Sequence, residues 1–209
     1  MAAPTPTAKG MRTRERILQT ATDLFHQRGV NATTVGDVLR ASGTGKGQFY
    51  QHFPSREALV NEVLERHRAF LAAAPPIERW EDLRGWLHHY LELQRSFGYL
   101  RGCPVGTAAY ALQPDQDQAR STLRRIFDQM RQAIAAFLRT EQEAGRLRAD
   151  ADPRRLADFT VAGVQGAMLL GLLERGPRPA RGVVEETYAH LLSHRTENPD
   201  RDVERHSRP

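Results

Sequence analysis

Two short amphipathic runs separated by Ser42-Gly43-Thr44-Gly45 constrain the fold of this chain more than any other feature. In the first run, Val35, Val38 and Leu39 form one apolar stripe. Thr34 precedes it, with Asp37 three residues on, in the arrangement of a reciprocal N-terminal cap. In the second run, Lys46 to His52, Phe49 points inward, Phe53 plugs the end and Pro54 breaks the helix. Upstream, Ile17, Leu18, Ala21, Leu24 and Phe25 recur at helical spacing between Met11 and Arg28, and Gly29 ends that helix as a C′ glycine. Ser55, Ala58 and Leu59 open a longer helix to about Ala73. The first three helices therefore predict a small tri-helical unit whose third helix is short and polar outward.

The rest of the chain reads the same way. Pro75-Pro76 marks a joint, followed by helical segments over Trp80 to Phe97, Pro104 to Leu112 and Asp115 to Gly145. Asp152-Pro153 starts another helix, Gly176-Pro177-Arg178-Pro179 is a tight connector, and Val183 to His194 closes the pattern. No strand-length alternation and no internal repeat is evident, so the expected class is all-α, with about nine helices. No apolar run reaches the ~18 residues of a membrane span, and the N-terminus lacks the apolar core of a signal peptide. The one cysteine, Cys103, excludes an internal disulfide framework and fits a reducing cytosol, so a cytoplasmic protein with no membrane association is expected.

Charge placement points to a partner. Of the net +5, most lies in the first 55 residues, where seven basic side chains face three acidic ones. Lys9 and Lys46 are the two lysines among many arginines, and Lys46 stands at the tip of the second short helix. Gly45 and Gly47 flank it, removing side chains where a helix N-terminus would press on phosphate. Gln48 can reach a base edge, with adenine its natural bidentate partner. Tyr50 and His52 point outward toward phosphates, and Thr33, Thr34 and Thr44 stand at helix starts where they can do the same. Arg12 and Arg14 lie on the N-terminal arm, where they could reach a neighbouring groove or the backbone, and Arg56, just after the short helix, is a further candidate contact. This is the pattern by which a helix-turn-helix enters a major groove.

The segment from Arg14 to Leu59 resembles the DNA-binding domain of the TetR family of bacterial regulators. The resemblance rests on Ala21, Leu24 and Phe25, on the R-G-x-x-x-T-T turn, on G-x-G-K-G-x-F-Y-x-H-F, and on the S-[KR]-E-x-L that follows, and it covers roughly a quarter of the chain. It implies a homodimer bound to double-stranded operator DNA, with a C-terminal domain that takes a small-molecule inducer. Two positions depart from the family pattern. Gly45 replaces the usual capping serine, so Thr44 is expected to cap one residue earlier, and Gln48 replaces a small hydroxyl residue and should alter base preference. The organisation expected is a disordered arm over 1–10, a helix-turn-helix domain over 11–55, a ligand-binding and dimerisation domain over 56–195, and a disordered tail over 196–209.

In the C-terminal part, Gly102-Cys103-Pro104-Val105-Gly106 resembles a G-C-x-x-G element of some TetR-family effector domains, including a subgroup related to multidrug-resistance regulators. Cys103 reads either as a pocket or redox-sensing residue or as a buried small hydrophobe. Trp86, His89, Tyr90, Phe97, Tyr110, Phe127, Met130, Gln165, Met168 and Leu169 are candidate pocket walls for an apolar or aromatic ligand. Phe159, Gly163, Gly166, Ala167, Leu170, Leu173, Val184, Tyr188 and Leu191 suit close helix packing across a two-fold axis. No metal site is expected at His88-His89, and no cofactor is implied. No nucleophile–base pair or phosphate-binding loop supports catalysis. The alternatives to a ligand-released repressor are an electrophile or redox sensor acting through Cys103, and a helical enzyme or interaction protein that does not bind DNA.

Overall fold

Local capping fixes the helix limits in the N-terminal part of the computed structural model, which describes residues 7–72 and 75–196. The hydroxyl of Thr7 accepts the Gly10 N–H at 3.1 Å and starts α1, Ala8–Arg28. Residues 8–10 are therefore helical rather than part of a disordered arm, because that cap satisfies a first-turn amide; residues 1–6 lie outside the described residues. Gly29 stops α1 at φ 85°, and α2, Val35–Ser42, begins with the Thr34–Asp37 box read from the sequence. Gly43, at φ 62°, turns the chain in the left-handed region that glycine tolerates, and α3 follows over Lys46–His52. The Ser55 hydroxyl accepts the Ala58 N–H and opens α4, Arg56–Ala72.

The remaining helices are α5, Trp80–Ser96; α6, Pro104–Tyr110; α7, Asp117–Glu143; α8, Pro153–Glu174; and α9, Arg178–Leu192. Nine α-helices thus make up the described residues, as the sequence predicts, with one isolated bridge between Leu147 and Arg195. That bridge, with the Thr196 N–H on the Arg146 carbonyl at 3.1 Å, orders Thr196, where the sequence predicts the start of a disordered tail. Residues 197–209 lie outside the described residues.

The chain divides into two units, and the division differs from the expected boundary at residue 55. One unit joins the described residues up to 72 with Cys103–Ile126; the other holds residues 75–102 and 127–196. In the first, α4 belongs with the three N-terminal helices because Leu59, Val60, Val63 and Leu64 are buried and α4 packs on α1. Two ion pairs reinforce that packing, Arg14 to Glu62 at 2.8 Å and Arg66 to Glu15 at 2.6 Å. The Asn31 amide reaches the Ala111 carbonyl at 2.7 Å, tying the end of α6 to the loop after α1.

In the second unit α8 is the central helix, packed on α5 and α9. Contrary to the expectation that no segment qualifies, α8 is long and apolar enough to cross a membrane by composition. Its buried residues, Leu156, Ala157, Thr160, Val161, Val164, Ala167, Met168 and Gly171, form one face, as in a core helix of two packed layers. Small residues set how closely its neighbours approach. A Cβ on Gly171 would stand 2.4 Å from Gln94 Oε1, and one on Gly163 would stand 2.7 Å from Thr187 Oγ1.

Gly171→Ala is therefore expected to lower stability by about 1–3 kcal/mol through overpacking. Gly85→Ala, in α5 with open space around its Cα, should instead gain up to about 1 kcal/mol of helix propensity. Urea denaturation of both variants checks the contrast; equal effects would contradict the packing described.

Candidate nucleic-acid interface

The exposed tip of α3 is built on two buried aromatic rings. Phe49 is 0% and Phe53 1% exposed, with ring centroids 5.7 Å apart. Around them Gly45, Lys46, Gly47, Gln48 and Tyr50 are all exposed, and His52 is half-buried. Gly45, not Thr44, occupies the N-cap position, and it has no side chain to close the first turn. Gln48 takes over part of that role, its amide oxygen accepting the Gly45 N–H at 3.4 Å. Thr44 is buried and its hydroxyl donates to the Ser42 carbonyl at 3.4 Å, so it neither caps α3 nor faces outward.

Several residues expected at the surface of this tip are used internally. Thr33 is 1% exposed, and its hydroxyl donates to the Gly29 carbonyl at 2.9 Å. Thr34 is exposed, but its hydroxyl donates to the Asp37 carboxylate at 2.6 Å. Hydrogen bonds from the Thr34 side chain and backbone hold that carboxylate below its usual range. Arg56 donates to the carbonyls of Thr33 and Val30 and so fastens the α1–α2 loop to the start of α4. Arg14 lies within α1, paired with Glu62 and with its guanidinium 5.3 Å from the Phe53 ring centroid. Arg12 is also in α1 and is exposed. The face left open thus consists of Arg12, Gly45 to Gln48 and Tyr50, with His52 at its edge. Such a set offers a lysine charge, amide and phenol hydrogen-bonding groups, and a glycine-lined helix start to an anionic backbone.

In the second unit the predicted pocket residues separate. Tyr90, Met130 and Met168 are buried, and Trp86 stacks edge-on to Tyr90 at 4.8 Å. Phe97 lies half-buried beneath the Arg101 guanidinium at 5.1 Å, and Phe127 and Gln165 are also half-buried. His89 is exposed and Leu169 is 48% exposed, so these two stand on outer faces of α5 and α8. Tyr110 is 88% exposed and, with Cys103, belongs to the first unit. Cys103 accepts the Gly106 N–H at 3.4 Å and caps α6. Sequence reasoning missed Gln94, which is fully buried. It donates to the Met168 carbonyl at 2.5 Å and the Arg101 carbonyl at 3.3 Å. Gln94 Oε1 and Gln165 Nε2 are buried without a hydrogen-bond partner among the described residues. No local pattern marks Gln94, since it lies in a polar Glu-Leu-Gln-Arg stretch.

Of the predicted two-fold packing residues, Val184, Leu191 and Ala167 are buried within the chain, and Gly163 accommodates Thr187. Tyr188 donates its hydroxyl to the Trp80 carbonyl at 3.2 Å. Phe159, Leu170 and Leu173 remain 46%, 37% and 69% exposed, and with Leu169 they form an open apolar stripe on α8 beside Gly166.

Trp80 is the hub of a buried polar clasp that the sequence did not reveal. Its indole N–H donates to Glu141 at 2.7 Å, its ring meets Phe137 edge-on at 5.3 Å, and Arg146 pairs with Glu141 at 2.5 Å. Arg146 first, and the indole with it, hold the Glu141 carboxyl below its usual range. Stability from this group is full above its ordinary value of 4.5 and is lost as pH falls through the lower folded value. Glu141→Gln should be less stable at neutral pH and lose less stability than the parent between pH ~5 and ~3, as read by urea denaturation.

The chain is similar to known regulators over both units. Residues 17–63 match the model described as "Bacterial regulatory proteins, tetR family", and residues 77–186 match "Tetracyclin repressor-like, C-terminal domain". It is 31% identical over 189 residues to the HTH-type transcriptional repressor DhaR of Mycobacterium sp. (strain GP1), covering 86% of this chain and 92% of that one. The transcriptional regulator AcuR of Cereibacter sphaeroides is 24% identical over 86% of this chain and 85% of its own. Among solved structures, a TetR transcriptional regulator from Chloroflexus aurantiacus has a TM-score of 0.76 at 24% identity, covering 90% of this chain and 98% of that one.

Proposed function

We propose, from the premise that this chain belongs to the TetR family of bacterial transcriptional regulators, that it is a cytoplasmic repressor which binds a palindromic operator as a homodimer and leaves it when a small apolar or aromatic molecule binds. A family member of this kind is a regulator and not an enzyme. The observation that carries the DNA reading is the exposed tip from Gly45 to Tyr50 set on the buried Phe49 and Phe53. Lys46 and Tyr50 contact phosphate, and Gln48 reads a base edge in the major groove. Two such helices, one per subunit, lie about one helical turn apart on the operator, ~34–36 Å.

The stripe of Phe159, Leu169, Leu170 and Leu173 supports the homodimer, because a contiguous exposed apolar surface marks an interaction site. The effector reading is supported by two buried amide atoms in the second unit, Gln94 Oε1 and Gln165 Nε2, that have no hydrogen-bond partner among the described residues. A neutral molecule carrying both a donor and an acceptor would supply the missing partners.

Selection of bound duplexes from a random pool is expected to return an imperfect palindrome. Lys46→Ala should weaken binding to all sequences and lower the salt slope of log Kobs by about 0.9 per subunit. Gln48→Ala should instead cost about 1–3 kcal/mol on the selected site and little on random DNA. An equal loss on both would assign Gln48 to the backbone. Leu173→Glu should shift the protein from dimer to monomer in sedimentation and remove palindrome binding. Retention of the dimer would place the two-fold elsewhere.

A further inference from the structure

Gln48 is the third residue of α3, and its side chain bends back on the helix start. Its Oε1 accepts the Gly45 N–H at 3.4 Å, the returning half of a capping box whose other half a glycine cannot supply. The Gly45 N–H is a donor, so only the oxygen of the amide can face it. The bond therefore settles which end of the amide is engaged on the protein. The other end, Nε2, has no acceptor among the described residues, and Gln48 is exposed. Nothing crowds it from the flanking glycines, because a Cβ on Gly45 or Gly47 would meet no atom within 4 Å.

A glutamine reads adenine with its whole amide edge, the oxygen accepting from N6 and the nitrogen donating to N7. Turning that edge to a base would take the oxygen from Gly45. A seven-residue helix with glycine at its N-cap has no other side-chain bond to close its first turn. What Gln48 can present at no cost to the helix is its NH2 group, which donates and does not accept. In the major groove guanine sets two acceptors, N7 and O6, side by side. Adenine sets a donor beside its one acceptor, cytosine offers a donor, and thymine offers one acceptor beside a methyl group.

From this arrangement we propose that Gln48 selects guanine rather than adenine: its NH2 group donates to N7 and O6 while its oxygen stays on Gly45. The proposal rests on the DNA-binding reading above and replaces the adenine preference that the residue type alone suggests. Cap and reader are then one side chain, with a duty at each end of its amide.

Gln48→Glu separates the two duties. A carboxylate at this position keeps an oxygen for the Gly45 N–H and so keeps the cap, but it carries acceptors only. Selection from a random duplex pool with the full-length parent should return a guanine in each half-site at a position where Gln48→Ala shows no preference. At that position Gln48→Glu should select cytosine, whose N4 amino group donates. Replacing the guanine of the selected duplex by 7-deazaguanine, which lacks the N7 acceptor, should weaken the parent about three- to tenfold and leave Gln48→Ala unmoved in fluorescence anisotropy. This second comparison decides alone if Gln48→Glu binds no duplex. An adenine at the position that Gln48→Ala levels overturns the guanine assignment, and so does a parent indifferent to 7-deazaguanine. Guanine retained by Gln48→Glu assigns that base to another side chain. No enriched sequence with the parent overturns the DNA-binding reading, and the choice of base falls with it.

Discussion

Everything the α3 tip can do depends on the burial of Phe49 and Phe53. A seven-residue helix is far below the ~12–15 residues at which an isolated helix becomes marginal in water. It also begins on a glycine without a capping side chain, so neither propensity nor capping holds it. Its persistence comes from tertiary packing: each fully buried phenylalanine contributes about 1.5–3 kcal/mol. Arg14, stacked on the Phe53 ring and paired with Glu62, adds a contact from α1 and α4 to the same anchor. The exposed face of α3 makes the Gln48–Gly45 hydrogen bond and rests the Tyr50 ring edge-on against Phe49, and it leaves Lys46 exposed. Bracing a short helix from outside keeps the surface it carries rigid.

The apolar residues of α8 are divided between a buried face and an exposed one. Gly171 and Gly163 face the chain's own Gln94 and Thr187, at distances no side chain would tolerate. Large apolar residues, Phe159, Leu169, Leu170 and Leu173, face away from that core. A helix serving only as core would carry polar residues on its second face. Apolar residues on both faces give α8 the composition of a membrane span without the all-round burial of a core helix.

What could be read from the sequence was what depends on neighbours three or four residues apart. The Thr34–Asp37 cap, the glycine stops at Gly29 and Gly43, the inward Phe49 and the open Gly45–Lys46–Gly47 tip all follow from local spacing, and the structure has them. The misplacements share a different cause. Thr33 and Arg56 are polar residues beside a reading helix, yet their partners are backbone carbonyls, those of Gly29 and Leu24 for Thr33 and those of Val30 and Thr33 for Arg56. Gly163 looked like one more member of a small-residue stripe until Thr187, 24 positions on, supplied its reason. Tyr110 has the aromatic character of a pocket wall, but it is exposed at the end of α6. Glu141 and Gln94 carry no local signature at all, because their partners Trp80 and Met168 lie 61 and 74 residues away.

Gln94 shows how an effector domain can be poised by its own incomplete hydrogen bonding. Its amide nitrogen is fully used on two carbonyls, which fixes the orientation of the group, and its oxygen lies where a side chain on Gly171 would have to stand. Leaving such an atom unpaired costs about 1–3 kcal/mol, and Gln165 Nε2 adds a second donor in the same condition on the adjoining helix. Both groups are neutral amides, so neither supplies a countercharge to a charged occupant. A ligand moves an equilibrium only by its differential affinity for the two states. Deficits of this size, relieved in one state and retained in the other, correspond to the 1–3 kcal/mol at which allosteric coupling typically operates.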